Sequence, residues 1–346
     1  NINGSKIGGR RNIIINGAMQ VAQRGSSFSQ VANNEITVDR FGLIHPYSTH
    51  MNVSHSTDSP DGFSKSFKLG VDNIDSSIGS GQFVVIRHRI EAQNLQQLAF
   101  GTSAAKPISL SFYVRSNKTG TFAINIQQTD NSSKQVSAPF TINSANTWER
   151  KTFTFAGDTS GVINDDTGTG LTILWWLSAG STYNSGTSRS TFTAHADADS
   201  AVGCNVNILA STDNNFYLTG VQLEVGSQAT DFEHRSLGEE LALCRRYYYR
   251  IGDGSNTYQL VGNGFIGENG GTKCGKISIH PLTSMRTTPS VEVIGTDSFR
   301  CTAGSVTMTC TATANTGGIW NSASTGDIMW MDFGRSGSGD PTVGYG

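Results

Sequence analysis

Charged side chains are scarce in this chain of 346 residues. Lys, Arg, Asp and Glu make up 15% of it, against roughly 25% in an average globular protein. The formal net charge is −2, so the sequence gives no electrostatic basis for binding nucleic acid or an anionic membrane surface. No apolar run approaches the roughly 20 residues that a transmembrane helix needs. We therefore expect no nucleic-acid partner and no membrane insertion.

Cysteine is also sparse, and its spacing is irregular. The five cysteines are Cys204, Cys244, Cys274, Cys301 and Cys310. They form no C-x-x-C pair, so a zinc site is not expected. Cys301 and Cys310 are spaced so that they could face each other across a hairpin and form a disulfide. The competing prediction, which we favour, is that the thiols are free, as a reducing cytoplasm keeps them.

Signatures of catalysis are missing as well. The sequence contains no G-x-S-x-G, no H-E-x-x-H and no phosphate-binding loop. Asp165 and Asp166, and likewise Asp197 and Asp199, could offer oxygen ligands to Ca²⁺, but neither pair has the spacing of a known calcium loop. Solvated acids in turns are the simpler interpretation. We predict a protein that is not an enzyme, with no catalytic residue, no metal and no cofactor.

Glycine is abundant, with 40 residues, and proline is rare, with 7. Short segments of alternating apolar and polar residues lie between clusters of Gly, Ser, Thr and Asn. This pattern predicts an antiparallel β-sandwich over residues 35–235, because strands with one buried face alternate with period two. A change of alternation around Gly220 predicts a β-bulge. The side chains predicted to lie between the sheets include Leu110, Phe112, Val114, Phe122, Ile124, Trp148, Ile173 and Trp175.

The regions on either side of the sandwich have different patterns. Residues 1–34 contain an isoleucine triplet at 13–15, which predicts a buried strand that packs on neighbouring subunits or on a preceding domain. Ser236 and Glu239 form an S-x-x-E capping box, which predicts a short helical connector over residues 236–249. Strand-like segments at 276–279, 291–294 and 328–333 then predict a smaller C-terminal β domain over residues 250–346. The predicted fold class is therefore all-β: an antiparallel jelly-roll sandwich and a smaller C-terminal β domain, joined by one short helix.

Three segments resemble virion proteins of tailed bacteriophages, in particular tail fibres and tailspike-like adhesins. They run from Arg11 to Gly25, from Ser109 to Gly120 and from Gly220 to Ser236, the last followed directly by the helix. The order of strands also resembles the jelly-roll carbohydrate-binding modules of bacterial glycanases. The resemblance implies a homotrimer in the virion, assembled in the cytoplasm of the host bacterium. It also implies attachment to other virion proteins through a missing N-terminal part, and binding to host-surface glycan without catalysis.

The same resemblance allows a second hypothesis of a different class. The chain would then be a structural virion protein, such as a head fibre, a capsid decoration protein or an adaptor, with no receptor role. Locating the chain on an intact particle distinguishes the two hypotheses.

Two adjacent tryptophans supply the first candidate for a glycan site. Trp175 shares its alternation with Ile173 and is predicted to be core, so Trp176 is predicted to point outward. An outward ring could stack on the C–H face of a sugar, or it could be buried in an oligomer interface. Tyr183 and Arg189 follow in the next loop and are predicted to lie near it.

A second candidate lies around His88, which shares its alternation with Ile86 and Ile90. That pattern predicts a hydrogen-bonded histidine in the core or in a groove, and not a metal ligand. Arg87 and Arg89 then project together from the opposite face, where they could hold a sugar acid or form a salt bridge between subunits.

Overall fold

The computed structural model describes residues 10–130, 133–250 and 282–287 in full and gives the backbone of five further strands between residues 264 and 334. The chain divides into two compact units, Asn1–Cys244 and Arg245–Gly346. Within the described residues, no helix is both long enough and apolar enough to cross a membrane.

The first unit is an antiparallel β-sandwich of two six-stranded sheets. The first sheet has the strand order β1-β3-β4-β12-β6-β9, and the second has the order β11-β8-β7-β10-β5-β2. Consecutive strands repeatedly cross from one sheet to the other, as in a jelly-roll, and the predicted fold class is confirmed. In chain order the strands are β1 (Ser27–Phe28), β2 (Phe41–Ile44), β3 (Met51–Ser56), β4 (Ser66–Val71), β5 (Phe83–Glu91), β6 (Ile108–Ser116), β7 (Gly120–Gln128), β8 (Lys134–Ile142), β9 (Glu149–Phe155), β10 (Thr169–Ala179), β11 (Thr193–Ala194) and β12 (Asn215–Val225).

Helices occupy little of this unit. Two are α-helical, α1 (Ser181–Asn184) and α2 (Leu237–Arg245). Three short 3₁₀ segments cover Ala92–Leu98, Asp197–Asp199 and Ile208–Ala210.

The core lies between the inner faces of the two sheets and is centred on Trp175. This side chain is fully buried, and its ring lies 5.8 Å from that of Phe112 in the first sheet and 6.1 Å from that of Phe41 in the second. Seven of the eight side chains predicted to be buried are 0% exposed: Leu110, Phe112, Val114, Phe122, Ile124, Ile173 and Trp175.

The prediction for Trp148 is wrong. This residue precedes β9, and its alternation is opposite to that of Phe153 and Phe155, which face the other sheet. Trp148 therefore lies half-buried on the outer face of the first sheet.

The predicted bulge at Gly220 is present. The pairing of β12 with β6 shifts register between Thr219 and Gln222, and Gly220 has φ +61°. A Cβ at this position would lie 2.7 Å from the Tyr113 ring and 2.8 Å from the Phe63 ring. Glycine is needed here both for its left-handed backbone and for the close approach of two rings.

The segment 13–15 was predicted to be a strand, but it is a buried irregular segment that ends in a turn. Its backbone bonds to the sandwich of the same chain: the Ile13 amide donates to the Leu223 carbonyl at 2.8 Å, and the Val221 amide donates to the Gly17 carbonyl at 2.9 Å. Ile14 is fully buried in the sandwich core. The apolar surface that we expected to pack on neighbours is thus covered within the chain.

A buried polar network joins the segment around Ile14 to residues 235–240, near the C-terminal end of the first unit. Arg235 forms an ion pair with Glu240 at 2.7 Å and donates to the Ile14 carbonyl at 2.9 Å. The other carboxylate oxygen of Glu240 accepts from the Asn16 amide at 2.5 Å. Because these groups are shielded from water, each needs its partner.

Helix α2 begins with half of the predicted capping box. The Glu239 amide donates to Ser236 Oγ at 3.3 Å, whereas the Glu239 carboxylate forms an ion pair with Arg10 at 2.6 Å. The helix ends at Arg245, four residues before the end of the predicted connector.

The second unit is also built from antiparallel strands where it is described. Strands β13 (Gly264–Asn269), β14 (Thr272–Ile279) and β17 (Met329–Gly334) form one sheet, and β15 (Phe299–Ala303) and β16 (Val306–Cys310) form a hairpin. In this hairpin Cys301 is the register partner of Met308, and Cys310 is the partner of Phe299, so the two cysteines are not directly opposite. The segment 291–294 lies outside the described residues.

We predict that Phe112→Ala destabilises the first unit by about 3–5 kcal/mol, because it opens a cavity beside Trp175. Ile74→Ala, at a side chain that is 54% exposed, should change stability by less than about 0.5 kcal/mol. Urea unfolding followed by circular dichroism measures both. Equal costs for the two variants would contradict the assignment of the core.

We also predict that the first unit becomes less stable as the pH is lowered, because of His88. Burial, and to a lesser extent Arg40, lowers the pKa of His88 well below its ordinary value of 6.5. Below that value the unfolded chain takes up a proton that the folded chain refuses, so up to about 1.4 kcal/mol is lost per pH unit. His88→Leu should reduce the slope of stability between pH 7 and 5, whereas His234→Gln, at an exposed side chain, should preserve it. A slope unchanged in His88→Leu would contradict this assignment.

Candidate functional site

The five residues predicted to bind ligand lie on one region, the outer face of the second sheet and the loop over it. Register pairs Trp176 of β10 with Val85 of β5, Leu174 with Arg87, and Thr172 with Arg89. Tyr183 lies in α1, directly after β10, and Arg189 in the following loop. Tyr183 lies beside Trp176, as expected, but the environments of the five residues differ from the expected ones.

Trp176 is not an exposed platform, because α1 and the loop after it cover it. It is 5% exposed, and its ring lies 5.2 Å from that of Tyr183 and 5.7 Å from that of Phe83. The loop is held down by backbone bonds, including one of 2.8 Å from the Ala201 amide to the Tyr183 carbonyl. Leu174 belongs to the same apolar cluster as Trp176, which is separate from the core between the two sheets. The predicted outward exposure of Trp176 is therefore wrong, because the chain covers the ring with its own residues.

Arg189 fixes the same loop in place. Its Nε lies 2.9 Å from Asp199 Oδ2, and the Thr187 amide donates to Asp199 Oδ1 at 2.7 Å. These two bonds, first that from Thr187 and then that from Arg189, lower the pKa of Asp199. The carboxylate that we weighed as a calcium ligand is therefore part of a loop ion pair. Among the described residues, no group of three or more His, Cys, Asp or Glu side chains is placed to hold a metal ion.

The two arginines of β5 have different surroundings. Arg87 is 5% exposed, and its guanidinium donates to Asn34 Oδ1 at 2.7 Å. Burial, helped by the nearby Arg89, lowers the pKa of Arg87 to about 10. Arg89 is exposed, and its carbonyl accepts a bond from Arg40. Of the five predicted residues, Arg89 is the most open to solvent, and 41% of the Arg189 side chain is exposed as well.

A different group of side chains, missed from the sequence, crosses the outer face of the first sheet. Tyr217 of β12 is the register partner of Lys68 in β4 and of Arg115 in β6. Val114 pairs with Glu149, so Trp148, one residue earlier, comes next to Arg115. We name this set of four, Lys68, Tyr217, Arg115 and Trp148, the cation–ring row.

The cation–ring row alternates charge and aromatic surface. Lys68 Nζ lies 5.5 Å from the centroid of the Tyr217 ring, and the Arg115 guanidinium carbon lies 5.2 Å from it. The Trp148 ring meets that of Tyr217 edge-on at 6.0 Å. Both cations are thus within the distance at which a ring face attracts a positive charge.

Asp58 holds one end of the row in a single geometry. Trp148 Nε1 donates to Asp58 Oδ1 at 3.1 Å, and Arg115 forms an ion pair with Asp58 Oδ2. Arg115 Nε also donates to the Asn146 carbonyl at 2.9 Å. Trp148, Arg115 and Lys68 are partly exposed, and the Arg115 side chain is 21% exposed. An oriented ring edged by fixed donors and acceptors is the combination that polar, ring-shaped ligands need.

Comparison with known proteins adds little to this picture. No family model matches the chain, and no curated protein matches it. The solved structures that are similar include a tailspike protein 4 domain of bacteriophage CBA120, described as enzymatically active, with 12% identity and a TM-score of 0.34. That alignment covers 62% of this chain and 21% of the tailspike chain.

Two carbohydrate-binding modules are similar at the same level. A xylan-binding domain of family CBM22 is 11% identical with a TM-score of 0.32, over 59% of this chain and 98% of that domain. TmCBM61, solved with β-1,4-galactotriose, is 9% identical with a TM-score of 0.30, over 63% of this chain and all of that module. Such values carry no argument about ligand or mechanism.

We predict that Trp176 and Trp148, the two tryptophans whose alternation places them on an outer face of a sheet, contribute different amounts to stability. Trp176→Ala should cost about 3–5 kcal/mol, because it empties a closed apolar cluster. Trp148→Ala should cost about 1 kcal/mol, because the ring is half-exposed and loses one hydrogen bond. Urea unfolding of each variant measures this, and a larger loss in Trp148→Ala would contradict the assignment.

Proposed function

We propose that this chain is a non-enzymatic glycan-binding component of a bacteriophage virion, of the tail-fibre or tailspike type. The observation that carries the glycan part is the cation–ring row. It presents a half-exposed tryptophan whose orientation is fixed by Asp58, next to arginine and lysine side chains. A sugar offers the complement of such a surface, since it has an apolar C–H face and a rim of hydroxyl groups.

The virion part of the proposal is supported by sequence. The three segments between Arg11 and Ser236 resemble tail fibres and related adhesins, and such proteins attach to the particle at one end and to the host at the other. We extend the proposal to a homotrimer, to other virion proteins as partners and to assembly in the host cytoplasm on the same basis.

A second candidate is a structural virion protein without a receptor role, such as a head fibre, decoration protein or adaptor. It is favoured by the covered state of the second sheet's outer face, where Trp176 and Arg87 are both at most 5% exposed. Imaging of intact particles separates the two: the adhesin belongs at the tail tip, and a decoration protein or head fibre belongs on the capsid.

We predict that the full chain binds bacterial surface polysaccharide. Trp148→Ala should weaken this binding by about 1–3 kcal/mol, the cost of losing an aromatic side chain that stacks on a nucleic-acid base. Calorimetry with purified polysaccharide measures the affinity. Thr152→Ala, an exposed change on the same face of β9, serves as the matched control and should bind like the unaltered protein. An unchanged affinity in Trp148→Ala would remove the cation–ring row from the site, and release of reducing ends would refute the absence of catalysis.

A further inference from the structure

We propose that the cation–ring row selects acidic glycans and that the Lys68 ammonium group binds their acidic group. This inference rests on the proposed glycan-binding function and concerns the class of sugar that the same surface takes.

The two cations of the row are not equivalent. Arg115 is neutralised by its ion pair with Asp58 and is further held by the Asn146 carbonyl. Lys68 contacts the Tyr217 ring, and no carboxylate of a described residue lies within ion-pair distance of it. The row therefore presents one uncompensated positive charge.

The two rings are not equivalent either. Tyr217 is 8% exposed, since it lies between Lys68 and Arg115. Its ring therefore positions the cations and offers little surface to a ligand. Trp148 is half-exposed and is the ring that a sugar can reach.

The spacing favours a chain of sugars over a single one. The backbones at Lys68 and Trp148 are separated by β12 and β6, about 14 Å across the sheet. Their functional groups approach the Tyr217 ring between them, with Lys68 Nζ 5.5 Å and the Trp148 ring 6.0 Å from its centroid. A ligand that stacks on Trp148 must therefore extend along the row to bring an anionic group to Lys68. An oligosaccharide with a carboxylate on another sugar unit meets both requirements. Charge complementarity thus identifies the occupant as an acidic polysaccharide.

The test uses the full chain and an array of bacterial capsular polysaccharides and O-chains. Each acidic polymer is printed beside its carboxyl-reduced form, which keeps the backbone and removes the charge. We expect binding to acidic polymers and at least about tenfold weaker binding to the reduced forms, the effect of losing one charge-assisted contact. Lys68→Gln should weaken binding to acidic polymers by about the same factor, whereas Lys68→Arg should preserve most of it.

Lys106→Gln is the matched control. It removes the same charge from an exposed lysine just before β6, at the other end of that strand from Arg115, and should leave binding unchanged. Equal binding to acidic and reduced forms, or no effect of Lys68→Gln, would overturn the inference while the glycan-binding function stands. Failure to bind any polymer on the array would instead refute the proposed function itself. Raising the salt concentration should weaken binding to acidic polymers only.

Discussion

The structure depends most on the central strand β10, because both of its faces are covered. Its inward side chains meet the other sheet through the contact of Trp175 with Phe112. Its outward side chains are covered by α1 and the following loop, through the contact of Trp176 with Tyr183. A shift of one residue in register would exchange two well-packed faces, so the pairing of β10 with β5 and β7 is fixed.

Several ion pairs of the first unit fix loops and ends. Arg189 and Asp199 hold the loop over Trp176, and Arg235 and Glu240 hold the N-terminal segment against the end of the first unit. Lys68 combines three features: it projects from a strand, its side chain contacts the Tyr217 ring, and no described carboxylate neutralises it.

The shape of the site bears on what it can bind. A small, partly open cavity near Asn12 and Arg235 has a volume of about 10 Å³, room for about one water molecule. The cation–ring row is instead an open surface spread over four strands. For the glycan-binding function that we propose, an open row gains affinity by contacting several units of a repeating polymer, each weakly.

Sequence alone determined the two-sheet architecture, the core row through Trp175 and the bulge at Gly220, because alternation with period two and glycine at a left-handed position are local signals. It failed for Trp148, whose alternation differs from that of Phe153, and for Trp176, which alternation places outward but a loop then covers. Only the tertiary structure decided these two exposures and joined Lys68, Tyr217 and Arg115 into one row. The physical reason is that cross-strand register and the return of a loop are long-range pairings, which depend on the packing of the whole sandwich and leave no local pattern in the sequence.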